Sequence, residues 1–223
     1  MKIQVIIPAG GLGKRFGGVL PKSLVLFKKK PLIVHCLKIF QQCKAVDSIV
    51  IAVPKKFKRR FEVLVKRWRI YKVKRVVAGG DTRSASVYQG LNATDADTDM
   101  VIVHDAARPL VSLELLKRCI LSCQKYGAAV AAVPVKPTIK RIHLKSQTVI
   151  ETLKREELWE IQTPQVFKRS LLREAYLKAK NKNVTDCAAL VEQIGKKVKI
   201  VMGDYKNIKV TTKEDLKIAS VLY

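Results

Sequence analysis

The sequence predicts an α/β protein, a mostly parallel sheet covered by helices on both faces in a three-layer α/β/α sandwich. Three observations carry that expectation. Short β-branched runs recur along the chain, segments with helical spacing of apolar residues separate them, and several runs are apolar at every position. An alternating strand is half buried. A continuously apolar one such as Val101-Ile102-Val103 or Ala131-Ala132-Val133 needs cover above and below, which helices flanking a parallel sheet provide.

The first run, Ile3 to Ile7, ends in Pro8-Ala9-Gly10-Gly11-Leu12-Gly13 and so reads as a strand leaving into a loop. Further strands are expected at Ser48 to Val53, Val73 to Val77, Met100 to His104, Ala128 to Val135 and Val198 to Met202. Helical spacing appears in Pro31 to Phe40 (Leu32, Val34, Cys36, Leu37, Phe40), in Phe57 to Trp68 (Phe57, Phe61, Leu64, Val65, Trp68), and at Leu113, Leu116, Ile120 and Cys123. Ligands of such sheets bind beyond the carboxyl ends of the strands, so the residues after Ile7, Val77, Val103 and Val135 form the first list for a site. One stretch breaks the rhythm. From Lys136 to Glu157 apolar and polar residues alternate around a polar turn at Lys145-Ser146-Gln147, which predicts a hairpin with little apolar bulk. A hairpin away from the core is marginal in water, so this arm at 136–157 is expected to lie on a second subunit. No repeat or Ser/Gly linker divides the chain, so 1–223 is expected to be one domain.

Composition narrows the function classes. With 48% hydrophobic residues among 223, the chain can bury a sizeable core and is not a disordered tail. No apolar run approaches the roughly 18 residues of a membrane span, and Met1 to Pro8 lacks the pattern of a secretory leader, so a soluble, cytoplasmic protein without a membrane partner is expected. The charge of +26 points to phosphates, nucleotides or nucleic acid. Basic clusters such as Lys58-Arg59-Arg60 would suit a nucleic-acid partner. The 6% aromatic content and the lack of zinc spacing argue against one. The five cysteines form no C-x-x-C and read as buried free thiols. The three histidines form no metal-binding pair.

Three segments carry chemistry. Pro8-Ala9-Gly10-Gly11-Leu12-Gly13-Lys14-Arg15, continued by Pro21-Lys22, lets backbone N–H groups approach a polyphosphate while Arg15 and Lys22 add charge. It is neither a Walker A loop, since Arg15 stands where Ser or Thr is required, nor a dinucleotide fingerprint, since the third glycine comes one residue late. His104-Asp105-Ala106-Ala107-Arg108-Pro109 follows a buried strand. Two readings of Asp105 stand: a carboxylate holding Mg²⁺ beside phosphates, or a cap on the following loop. His104 reads as a satisfied strand-end residue rather than a general base. Gly79-Gly80-Asp81-Thr82-Arg83-Ser84-Ala85-Ser86 enters a helix, with Asp81 as the expected N-cap, and suits either an anion and base edges or capping alone.

Taken in order, these segments and Thr152-Leu153-Lys154-Arg155-Glu156-Glu157-Leu158-Trp159, Gln162-Thr163-Pro164-Gln165, Thr185-Asp186 and Asn207-Ile208-Lys209-Val210-Thr211 resemble the 2-C-methyl-D-erythritol 4-phosphate cytidylyltransferase family of the non-mevalonate isoprenoid pathway. The ribitol-5-phosphate cytidylyltransferases share the glycine loop and the Gln-Thr-Pro-Gln run, whereas the Thr152–Trp159 segment looks like the methylerythritol branch. The resemblance implies a Rossmann-like, nucleotide-diphospho-sugar transferase fold, CTP and 2-C-methyl-D-erythritol 4-phosphate as substrates, Mg²⁺ or another divalent ion, and a homodimer through the arm. By position it implies that Arg15 and Lys22 stabilise the transition state and that Pro8, Ala9, Gly10, Gly11 and Gly13 surround the triphosphate. Gly80, Asp81, Ser86 and Ala106 match the cytidine side, and Asp105 the aspartate near the metal. Arg155 and Lys209 match the residues that place the acceptor phosphate, Arg155 from the partner subunit, with Arg108, Thr138, Thr163 and Thr185 as its polar surround.

Overall fold

The computed structural model describes residues 1–11 and 20–223. A seven-stranded sheet runs through them. In chain order the elements are β1 (Ile3–Pro8), the two-residue strands β2 (Leu26–Phe27) and β3 (Lys30–Pro31), α1 (Leu32–Gln42), β4 (Ser48–Val53), α2 (Lys58–Arg67), β5 (Val73–Ala78) and α3 (Arg83–Asn92). They continue with β6 (Met100–Val103), α4 (Leu113–Tyr126), β7 (Ala128–Pro134), β8 (Lys140–His143), β9 (Thr148–Thr152), β10 (Trp159–Lys168), α5 (Arg169–Lys178), α6 (Ala188–Gln193), β11 (Lys199–Met202) and α7 (Lys213–Leu222).

The sheet order is β11-β7-β10-β6-β1-β4-β5. Every pairing is parallel except the two made by β10, which is antiparallel to both β6 and β7. The continuously apolar runs are buried on both faces, as expected. In β1, Ile3, Val5 and Ile7 pack with α1, α2 and α4, while Ile6 turns to the layer of α3, α5 and α6. β6 divides likewise, Met100 and Ile102 to the first layer and Val101 and Val103 to the second. Gln4, the polar exception in β1, is buried at the opposite end of the sheet from the cleft and bonds Ser48 Oγ, Asp95 and Thr98 Oγ1.

All five cysteines are buried and free. Burial pushes the thiols of Cys36, Cys119 and Cys123 up to about 12, so they behave as apolar packing groups. Among the described residues no helix is long and apolar enough to cross a membrane.

The hairpin stands where the alternation placed it. β8 and β9 form a sheet of their own, exposed along their whole length, and the turn closes with Gln147 in the left-handed region (φ 54°). Two expectations need correction. The helix after Gly80 is capped by Thr82 rather than Asp81: α3 begins at Arg83, and Thr82 Oγ1 accepts the Ala85 N–H at 3.0 Å. Of the seven strands of the main sheet, β10 is the one absent from the sequence-based set. Pro164 and the polar residues Gln162, Thr163 and Gln165 interrupt its apolar pattern where its pairing with β7 shifts register between Ile161 and Gln165.

Candidate active site

The carboxyl ends of β1, β5 and β6 open onto a cleft of about 600 Å³. Much of one wall is backbone. Pro8 to Gly11 leave β1 with the Ala9 N–H donating to Ala52 O at 2.8 Å, and Gly79 leaves β5 with its N–H donating to Val53 O at 2.7 Å. Both turns close on Ser86 in the first turn of α3: a Cβ on Gly79 would stand 2.7 Å from Ser86 Oγ, and one on Gly10 3.4 Å. Glycine at 79 is what permits that approach. Ser86 Oγ in turn donates to Gly80 O at 3.1 Å. The Lys22 N–H donates to Gly11 O at 3.1 Å, and Lys22 lines the cleft. Gly13 and Arg15 lie outside the described residues.

Asp105 sits at the far side, 7% exposed. Arg83 Nε donates to its Oδ1 at 2.8 Å and Lys209 Nζ to its Oδ2 at 2.7 Å. Burial alone would raise its pKa, but the Arg83 and Lys209 charges prevail and hold the carboxyl well below the usual range. The same partnership raises Arg83 against its own burial. Lys209 reaches Asp105 because the Val210 N–H donates to Ala107 O at 2.8 Å, and because Asp215 Oδ2 gathers the Thr211 and Thr212 N–H groups at the capping box of α7.

A second cleft of about 400 Å³ adjoins the first and shares Arg83, Asp105 and Lys209 with it. Arg108 lies in its wall, 4% exposed, with NH1 on Asn207 O at 2.6 Å and NH2 on Ile161 O at 3.3 Å. No carboxylate among the described residues comes within ion-pair distance of Arg108, and its Nε has no hydrogen-bond partner. A buried guanidinium in that position favours an anion. Gln162, Thr163, Gln165, Thr185, Asp186 and Glu192 complete the wall with Ile161.

His104 faces away from both clefts and is fully buried against Phe40. Its Nε2 lies 3.1 Å from Arg108 O and its Nδ1 3.0 Å from Thr163 Oγ1, which accepts the Asp105 N–H at 3.1 Å. For the neutral ring, the assignment that satisfies all three puts the ring proton on Nε2 and has the Thr163 hydroxyl donate to Nδ1. Burial pushes His104 down to about 4, so it is a neutral strut under Asp105, as a satisfied strand-end residue should be.

The structure therefore gathers Pro8, Ala9, Gly10, Gly11, Lys22, Gly80, Asp81, Ser86, Asp105, Ala106 and Lys209 in the first cleft, and Arg108, Thr163 and Thr185 with Asp105 and Lys209 in the second. It leaves Thr138 and Arg155 outside both: Thr138 is exposed at the root of the arm, and Arg155 NH1 donates to Lys136 O at 3.0 Å. The sequence reading gave no role to Arg83, Ser23, Thr211 or Asp186. The signal for Arg83 was present in the Gly-Gly-Asp-Thr-Arg run, but nothing local tells which carboxylate an arginine will meet 22 residues later.

Among the described residues no three or more His, Cys, Asp or Glu side chains group to hold a metal. A cage built by protein alone is thus not what Asp105 offers. One ionised carboxylate beside a phosphate cleft is the donor set that Mg²⁺ takes, with phosphate oxygens and water completing its shell, so the residues fit that ion.

Two clefts meeting across one carboxylate, one walled by backbone and the other holding a buried guanidinium, suit a nucleotidyltransferase, and that is the class to which the chain's relatives assign it. Residues 3–223 match the model of the 2-C-methyl-D-erythritol 4-phosphate cytidylyltransferase family, and the chain belongs to that family. A relative of that name from Bacillus cereus is 43% identical over 217 residues, 96% of this chain and 95% of its own length. One from Geobacillus kaustophilus is 42% identical over 224 residues, 100% of this chain and 97% of its own. Among solved structures, 4-diphosphocytidyl-2C-methyl-D-erythritol synthase from Anaerococcus prevotii superimposes with a TM-score of 0.84 at 30% identity, covering 99% of this chain and 97% of its own. The 2-C-methyl-D-erythritol 4-phosphate cytidylyltransferase of Thermus thermophilus gives 0.81 at 31%, covering 100% and 98%.

Proposed function

We propose that the paired clefts transfer the cytidylyl group of CTP to 2-C-methyl-D-erythritol 4-phosphate, giving 4-diphosphocytidyl-2-C-methyl-D-erythritol and pyrophosphate in the cytoplasm. The observation that carries the reading is the junction at Asp105, where a nucleotide-sized cleft with a backbone wall meets a second cleft holding a buried arginine with no carboxylate partner. CTP lies in the first, its triphosphate along Pro8 to Gly11 and Lys22 and its cytidine toward Gly80, Asp81, Ser86 and Ala106. The acceptor phosphate lies in the second, toward Arg108, Thr163, Thr185 and Lys209.

An oxygen of the acceptor phosphate attacks the α-phosphorus in line. The new O–P bond forms as the bond to the bridging oxygen of the leaving pyrophosphate breaks. The nucleophile is already an anion, so no side chain has to remove a proton, which agrees with a neutral His104 turned away from the clefts. Catalysis is left with positioning and charge. Lys22 and Lys209, with Arg15 of the glycine loop, offset the repulsion between two anionic substrates and the charge that builds on the transferring phosphoryl group. Asp105 would hold Mg²⁺, which when bound supplies further neutralisation of the triphosphate. Arg155 and Thr138, held away from their own clefts on the arm, suit the clefts of a partner in a homodimer.

The test is an acceptor panel with CTP and Mg²⁺. Pyrophosphate release is expected with 2-C-methyl-D-erythritol 4-phosphate and not with ribitol 5-phosphate or without acceptor. Release driven equally by ribitol 5-phosphate overturns the acceptor assignment.

A further inference from the structure

We infer that Arg83 is a positioning residue for this transfer: it locks one oxygen of Asp105 so that the other can be exchanged between Lys209 and a cation arriving with the nucleotide. The inference rests on the function proposed above and adds a residue and a task to it.

Three observations support it. Arg83 is the first residue of α3, fixed by the Thr82 cap, and its side chain spans the partition between the clefts, lining both. Nε meets Asp105 Oδ1 at 2.8 Å, and NH1 reaches Cys187 Sγ at 3.7 Å on the far side, so the guanidinium is held at two ends. The two contacts on Asp105 also differ in exposure: the Arg83 side chain is 21% exposed and that of Lys209 40%. The lysine contact is the more open of the two to water and to ligands. An ammonium on a flexible stem can leave a carboxylate at little cost, whereas a planar guanidinium tied at both ends cannot follow it. Without Arg83, the buried carboxylate is free to turn fully onto Lys209, which withdraws it from a cation and Lys209 from the acceptor cleft together.

Calorimetric titration of CTP in Mg²⁺ and in EDTA, without acceptor, separates this role from plain nucleotide contact. Losing a residue that orients a metal-binding carboxylate typically weakens the metal about 10- to 100-fold. Arg83→Ala is therefore expected to abolish most of the gain in CTP affinity that Mg²⁺ gives, to leave the EDTA value within about twofold, and to regain part of the gain as Arg83→Lys. In an Asp105→Asn background Arg83→Ala is expected to add nothing further. Equal loss of affinity in Mg²⁺ and EDTA, or the same loss with Asn at 105, makes Arg83 a direct nucleotide contact and overturns the inference. An unchanged response to Mg²⁺ in folded Arg83→Ala, checked by its unfolding midpoint, also overturns it. If the unmodified protein gains no CTP affinity from Mg²⁺, the assignment of Asp105 in the proposed function falls as well, which distinguishes the two failures.

Discussion

His104 shows how a single ring supports the site without taking part in the chemistry. Its imidazole is enclosed, donates from Nε2 to Arg108 O and accepts at Nδ1 from Thr163, and burial disfavours the charge that a second ring proton would bring. In the unfolded chain the ring titrates near 6.5, while in the fold it is held down to about 4. The folded pKa is the lower one, so the unfolded state binds the proton first. The stability His104 contributes is complete above pH 6.5 and is lost as the pH falls toward 4. A shift of this size corresponds to about 3 kcal/mol across that window. His104→Gln keeps a donor and an acceptor but does not titrate. Urea unfolding at pH 7 and pH 4.5 should show the unmodified protein losing about 2 kcal/mol more than the variant, and equal losses would remove the strut from the account. The site residues readable in the sequence are those whose backbone or charge declares them, the glycines after β1 and Asp105 at a strand end, whereas Lys209 came only with the family resemblance of its motif. Arg83 and Asn207 were not, because their roles depend on partners 22 and 99 residues away in Asp105 and Arg108.

At the level of elements, α3 is placed by a glycine that has nothing to do with a turn. Gly90 lies on its buried side, where a Cβ would collide with Ile6 Cγ2 of β1. That close approach seats the first turn of α3, with Arg83 and Ser86, over the end of β1. In an open helix Gly→Ala gains about 1 kcal/mol from propensity, but overpacking of this kind costs about 1–3 kcal/mol and decides the sign. Gly90→Ala is expected to lower the urea midpoint, and in an Ile6→Ala background, where the colliding methyl is gone, to raise it. A lower midpoint in both would mean that the collision is not the cause. The central parallel strands were legible because burial on both faces makes nearly every position apolar, the edge strands β5 and β11 by their β-branched residues, and the arm because exposure on both faces leaves a bare alternation. β10 was not legible, since its middle residues serve the second cleft rather than the core. Gln162 bonds Asp204 O and Asn207, Thr163 bonds His104 and Asp105, and Gln165 bonds Asp186 and Cys187, so the pattern that marks a strand is overwritten there by the needs of the site.

For the molecule as a whole, the arm is the part that a single chain leaves unexplained. Ile142 is 44% exposed, Leu144 84%, Val149 58% and Ile150 57%, on a hairpin that no helix covers. Two strands exposed on both faces gain too little burial to hold their shape alone, and a second copy of the chain, in the homodimer proposed above, would supply the missing surface. Arg155, at the base of the same arm, would then serve the partner's acceptor cleft beside the partner's Lys209. Mixing two inactive variants tests this. Arg155→Ala and Lys209→Ala, each purified alone, should both lose transfer by about a hundredfold or more, since each removes a charge aimed at the transition state. In a mixed dimer, the subunit with Ala at 155 keeps its own Lys209 and receives Arg155 from the subunit with Ala at 209, so one intact site is rebuilt. Random re-pairing of equal amounts makes half the dimers mixed, with one good site of two, and activity should return to about a quarter of the unmodified level. Arg155 acting within its own chain predicts no recovery at all, because neither subunit would then hold both cations in one cleft.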